Sequence, residues 1–201
     1  MSITTYAELK TAVTSWLDVP TSTFTNQIDD LVTIAESRIF REARTKDTEA
    51  SISTALSSGV YALPSDYLEM KFAYINSSPI SSLERRSAEW IYTEYPLRTS
   101  SGIPKFFARE STNLIFGPYP DSDYTLKGVY YKKLTALSSG VQALFTNNPD
   151  LYLFATLAES EILIGRDDRI KLWEMKYQKI LSDVNGLDRK ENSSGSVLRM
   201  R

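Results

Sequence analysis

The chain has 201 residues, 42% hydrophobic and 24% charged, and 23 basic against 25 acidic side chains leave a net charge of −2. It contains no cysteine and no histidine, which excludes disulfides, thiol nucleophiles, Cys- or His-ligated metals and Ser-His-Asp catalysis. The charge balance lacks the basic excess of a free-standing nucleic-acid binder. No run approaches the ~18 apolar residues of a membrane span. "MSITTYAELK" does not read as a secretory signal, so a cytoplasmic or assembled-particle protein is expected.

The N-terminal part, residues 1–48, reads as a helical hairpin. Thr5 and Glu8 have the spacing of a capping box, and Leu9, Val13, Trp16 and Leu17 follow on one helical face. Asp18-Val19-Pro20 breaks the helix. A second helix is predicted from Thr25 to about Arg44, with Ile28, Leu31, Val32, Ala35 and Ile39 on its buried face.

Residues 49–145 read as an antiparallel β domain, a small sandwich. Met70, Phe72 and Tyr74 alternate with Lys71, Ala73 and Ile75. Ser87 caps a short helix. "SGIPKFFARE" is a turn into a strand. "LIFGPYPDSDYTLKGVYYKKL" reads as a hairpin with its tip at Tyr119–Asp123, Leu126 and Tyr130 on one strand face, and Lys127 and Tyr131 on the other.

Residues 146–187 read as a second helical hairpin, packed with the first as one bundle, with the β part as an inserted domain. Asn148-Pro149-Asp150 combines an N-cap, a first-turn proline and an acidic residue. That helix is predicted to stop at Gly165. Asp167 or Asp168 starts another, with Ile170, Trp173, Tyr177, Ile180, Leu181 and Val184 on one face and Gly186 at its end. Residues 188–201 have the composition of a flexible tail. The tail closes on Val197, Leu198 and Met200 among Arg199 and Arg201, which suits either a frayed terminus or a segment that orders in a partner's groove.

Few residues suggest chemistry. Asp121 and Asp123 are too few for a dedicated calcium loop, and Pro-Asp-Ser-Asp is ordinary turn chemistry. Glu159 and Glu161 point to different helical faces. No phosphate-binding loop is present. The reading is therefore no enzyme, no metal and no cofactor. Trp16, Phe106, Phe107, Trp173 and Tyr177 read as core. The Tyr-rich strands suit half-buried sheet positions or an interface.

The ordered series of pieces has a further reading. It runs from the N-terminal helices through "GVYALPSDYL" (Gly59–Leu68), "GIP" (Gly102–Pro104), "LIFGPYP" (Leu114–Pro120), "YYKKL" (Tyr130–Leu134) and "NPDLYLFATLAE" (Asn148–Glu159) to a Trp- and Tyr-bearing helix. This series resembles the head-to-tail adaptor (connector) proteins of short-tailed bacteriophages and related prophages, over nearly the whole chain. The resemblance implies a structural virion protein. It would form a ring, usually twelve-fold, beneath the portal, extend the DNA channel and carry the tail nozzle or tail fibres. DNA would pass without sequence-specific binding. The resemblance implies portal binding by Ser196, Val197, Leu198, Arg199, Met200 and Arg201. It makes Tyr119, Pro120, Asp121, Ser122 and Asp123 a tail-facing contact. Apolar residues off the main helical faces, Leu153 and Leu163, are expected between subunits. A head-completion or tail-terminator ring protein stands beside this reading. From other classes stand a monomeric carbohydrate- or peptide-binding module and a carboxylate hydrolase.

Overall fold

The computed structural model describes residues 3–18, 21–96, 101–160 and 168–193. Contacts divide the chain into two compact units: Met1–Thr48 with Leu134–Arg201, and Glu49–Lys133. The fold is mixed α+β, with six helices and two sheets among the described residues.

In the first unit, α1 (Tyr6–Leu17) opens with the capping box. Thr5 Oγ1 accepts from the Glu8 N–H at 3.2 Å, and Glu8 Oε2 accepts from the Thr5 N–H at 2.9 Å, so two donors orphaned at the helix start are satisfied. Leu9, Val13 and Leu17 are buried, but Trp16 is 48% exposed. It sits about 100° around the helix from Leu17 and touches the Phe154 ring edge-on, with centroids 5.7 Å apart. The expectation that Trp16 is core is corrected. Helix α2 (Thr21–Glu42) starts four residues earlier than Thr25. It buries all five apolar positions assigned to its inner face.

After the second unit the chain returns through α4 (Ala143–Asn147), α5 (Pro149–Glu159) and α6 (Asp168–Ser193). Pro149 opens α5 as its sequence predicts, but Asn148 makes no side-chain cap. Its Nδ2 instead donates to the Leu144 carbonyl at 3.3 Å. Leu153, expected to lie off the main face, is buried in the core shared by α1, α2, α4, α5 and α6. So are Ile170, Trp173, Tyr177 and Leu181. Burial of such side chains contributes roughly 1.5–3 kcal/mol each.

Gly186 does not end α6, which continues to Ser193 at the ~1 kcal/mol cost of an interior glycine. The residue before it is busy elsewhere. Asn185 Oδ1 accepts from the Arg44 N–H at 2.8 Å, and its Nδ2 donates to the Glu42 carbonyl at 3.2 Å. Asn185 thus serves the open end of α2, not its own helix.

Two polar clusters tie this unit together. Arg38 on α2 donates to both Glu174 oxygens (2.8 and 2.5 Å) and to Glu159 Oε1 (3.1 Å), and it reaches Glu42 Oε1 at 3.4 Å. Its guanidinium carbon stands 4.4 Å from the Tyr177 ring centroid. Glu36 is buried and accepts from the Leu137 N–H (2.8 Å) and Gln142 Nε2 (3.0 Å). Gln142 also donates to the Thr135 carbonyl and accepts from the Tyr152 hydroxyl at 2.6 Å.

The second unit holds β1 (Glu49–Leu56), β2 (Val60–Ala62), β3 (Tyr67–Ile75), β4 (Ser81–Ser82), β5 (Glu84–Arg85), α3 (Ala88–Glu94), β6 (Phe106–Glu110), β7 (Asn113–Gly117) and β8 (Tyr124–Lys132). One sheet has the order β1-β8-β3-β4 and the other β2-β7-β6-β5. All pairs are antiparallel except β5–β6, which is parallel. Both sheets feed one apolar cluster, Ile52, Leu56, Met70, Ile75, Leu126 and Tyr130 from the first and Phe107, Leu114 and Phe116 from the second. Ser87 caps α3, accepting from the Trp90 N–H at 3.1 Å.

The simple alternation along β3 is corrected. Its register to β8 shifts between Met70 and Phe72. The extra residue moves the strand onto the opposite phase. Met70, Ala73 and Ile75 are buried while Phe72 is 50% exposed. Gly128 permits the approach at this point, because a Cβ there would lie 2.6 Å from the Phe72 carbonyl oxygen.

Candidate interface surfaces

The loop at Pro118–Asp123 is not a hairpin tip. Strand β7 pairs with β2 and β6, whereas β8 pairs with β1 and β3, so the loop crosses from one sheet to the other. The hairpin in this stretch lies one strand earlier. Glu110 faces Asn113 across the two-residue turn Ser111-Thr112, and Ser111 adopts φ 54°. A turn with positive φ at its first central residue usually has glycine there. Glu-Ser-Thr-Asn carried no such signal, while Gly-Pro-Tyr-Pro-Asp-Ser-Asp carried a strong one.

The crossover is anchored at its base. The Tyr119 carbonyl accepts from the Gly102 N–H at 2.6 Å, and the Gly117 carbonyl from the Lys105 N–H at 3.0 Å. The Tyr119 ring packs against Gly59, which has φ +68° and no room for a Cβ, since Tyr119 Cε1 would lie 2.8 Å away. Gly117 is closed in the same way by the Tyr95 ring at 2.7 Å. Tyr119 and Pro120 are half-buried, whereas Asp121, Ser122 and Asp123 are exposed. Asp121 Oδ1 accepts from the Tyr124 hydroxyl at 2.6 Å. That bond raises the Tyr124 pKa, Asp121 being its main cause. The loop therefore presents three short polar side chains on a fixed base.

In the helical unit one cation holds three carboxylates. Arg38 gathers Glu42, Glu159 and Glu174 into ion pairs, and its hydrogen bonds hold the Glu174 carboxyl below its usual range. Among the described residues no group of three or more acidic side chains is placed to hold a metal ion. No helix among them is long and apolar enough to cross a membrane. The tyrosines of the β unit are divided between its faces. Tyr130 points into the core, donates to Asp66 Oδ1 at 3.0 Å and has its pKa pushed up to about 12, first by burial and then by Asp66. Its neighbour Tyr131 lies on the opposite face.

Several large apolar side chains are exposed. On α6, Leu172 (54%) and Met175 (70%) lie three residues apart on one surface stripe. In the β unit, Phe72 stacks on Tyr74 with centroids 6.5 Å apart. Sequence reasoning named none of these as surface residues. Phe72 was hidden by the register shift, and Leu172 and Met175 by the attention its spacing gave to the opposite face of α6. Ser196–Arg201 and Leu163 lie outside the described residues.

The exposed apolar side chains on α6 and β3 and the anchored polar loop are the surfaces that the described residues offer to a partner. The family model described as SU10 adaptor protein matches residues 4–201. The chain belongs to the SU10 adaptor protein family. None of the curated proteins matches the sequence. Membership makes it a phage adaptor protein, a structural component of the virion rather than an enzyme class, and it bears out the resemblance to head-to-tail adaptors. An adaptor of this family associates with portal and tail components of the phage.

Proposed function

We propose that this chain is one subunit of a ring, a dodecamer, that sits beneath the portal, extends the DNA channel and offers the tail its attachment platform. The match of the adaptor family over residues 4–201 carries this reading. The exposed stripe of Leu172 and Met175 and the exposed Phe72 support it, because a ring subunit must bury two different, mutually complementary surfaces against its two neighbours. The near-neutral charge suits a channel that passes genomic DNA without gripping it, since each phosphate contact adds affinity. Assembly in the host cytoplasm precedes incorporation into the virion neck.

Two contacts follow. The segment Ser196–Arg201 enters grooves of the portal protein, with Val197, Leu198 and Met200 as apolar anchors. The crossover loop, Tyr119 to Asp123, meets the tail nozzle or fibre protein through Asp121, Ser122 and Asp123. The test is cosedimentation with purified cognate portal rings of the full chain and of a chain ending at Ser193, the last residue described in α6. The full chain is expected in the portal fraction and the shortened chain in the supernatant. Equal cosedimentation would remove the tail from the portal contact, and no cosedimentation of either would remove the portal.

A further inference from the structure

A cavity of about 270 Å³ lies within the helical unit. Its walls come from three places: the turn after α2, the α4–α5 junction and one face of α6. Asp47 Oδ2 accepts from Asn147 Nδ2 at 2.9 Å. That leaves the second carboxylate oxygen and the Asn147 carbonyl oxygen as acceptors. Asn148 donates to Leu144 and keeps its own carbonyl oxygen. Thr45, in the same wall, is 4% exposed, and its hydroxyl has no hydrogen-bond partner. A buried unsatisfied hydroxyl is uncommon and costs roughly 1–3 kcal/mol. Val184 and Leu187 form the apolar side, and Leu187 is 62% exposed. The cavity thus combines an apolar ledge with three oxygen acceptors. Lys46 also borders it, so a cation must be recognised by directed oxygens and not by net charge. A planar guanidinium with five donors meets that need better than an ammonium.

Residues 194–201, Ser-Gly-Ser-Val-Leu-Arg-Met-Arg, have this chemistry: apolar side chains beside arginines and no acidic side chain. The reach is sufficient. Helix α6 carries the chain about 9 Å from Leu187 to Ser193, and eight further residues extend up to about 26–29 Å. We propose that in the free subunit this cavity holds the chain's own C-terminal segment, with Leu198 on the Val184–Leu187 ledge and the Arg199 guanidinium on Asp47 and the two asparagine carbonyls. Portal grooves then compete with this resting site for the same residues. This step rests on the portal reading above, but the resting site itself does not need a portal.

The absence of cysteine allows a direct test on the full chain. A Gly186→Cys/Ser196→Cys variant, whose first cysteine lies beside the ledge but outside the cavity lining and where a Cβ meets no neighbour, folded by its circular dichroism and melting curve, is oxidised with copper phenanthroline at low micromolar concentration. The intramolecular disulfide is expected to form rapidly. It is expected to slow by roughly fivefold or more when Asp47→Lys is added, because docking sets the effective concentration of the tether. Equal rates in both backgrounds would overturn the proposal, as would cross-linked dimers in place of the intramolecular product. A second readout needs no cysteine. Hydrogen exchange at residues 45–48 and 184–187 is expected to quicken in the Leu198→Asp/Arg199→Glu variant, and unchanged exchange would count against the site. Either negative result leaves portal binding untouched, since no portal is present.

Discussion

Removing the Arg38 side chain tests the central polar tie of the helical unit. Arg38→Met keeps most of the aliphatic stem and removes a guanidinium that holds three carboxylates from three helices, at 2.5–3.4 Å. Breaking a fully buried ion pair costs 3–5 kcal/mol. Here the Arg38 side chain is only 17% exposed but Glu174 is 38% exposed, and solvent screens part of the loss. A destabilisation of about 2–3 kcal/mol follows, measured as a lower urea midpoint at unchanged slope. Glu174→Gln in the Arg38→Met background should recover part of it, with a coupling of about 1–2 kcal/mol. Arg38→Lys should not rescue, because an ammonium cannot span Glu174 bidentately and also reach Glu159. The pH dependence has a defined sign. Glu174 is held below the usual glutamate value of 4.5, chiefly by the Arg38 hydrogen bonds. Its contribution is therefore present above about pH 4.5 and lost as pH falls through the lowered value. The Arg38→Met protein should lose less stability over that acid range than the parent. A neutral Arg38→Met, or a coupling near zero, would refute the assignment.

Glu36→Gln should stabilise the chain more at pH 8 than at pH 4. Burial raises the Glu36 pKa, so the cost of its charged form is absent below about pH 4.5 and grows as pH rises through the raised value; equal midpoints for the two proteins at both pH values would refute this. Gly128→Ala should cost about 1–3 kcal/mol in urea unfolding, because its Cβ would press on the Phe72 carbonyl at 2.6 Å. Ser111→Gly should raise the melting temperature by a few degrees, through relief of up to about 1 kcal/mol at φ 54°; a lower melting temperature would contradict the turn assignment.

Much of the fold was legible because helical faces are local. Thr5 and Glu8 announced α1, and Ile28 through Ile39 announced the buried face of α2. Ile170, Trp173, Tyr177 and Leu181 did the same for α6. What escaped depends on distant partners. Arg38 and Glu174 are 136 positions apart, and nothing in either neighbourhood marks them as a pair. Gly186 looked like a helix stop, but the Asn185 side chain is committed to the end of α2 and α6 runs on. The hairpin was placed at the glycine- and proline-rich stretch, when those residues serve a crossover and close packing against Tyr95 and Tyr119. The β3 alternation failed for one added residue, whose signal, Gly128, lies on the neighbouring strand. Contact function was legible as a series of pieces, not as a site.

The mass of the purified chain by multi-angle light scattering, alone and mixed with its cognate portal ring, tests the adaptor account most directly. The account predicts a stoichiometric ring of adaptor subunits on the portal with the full chain, and none with a chain ending at Ser193. A full-length protein whose mass is unaffected by the portal, with both species eluting independently, would contradict it.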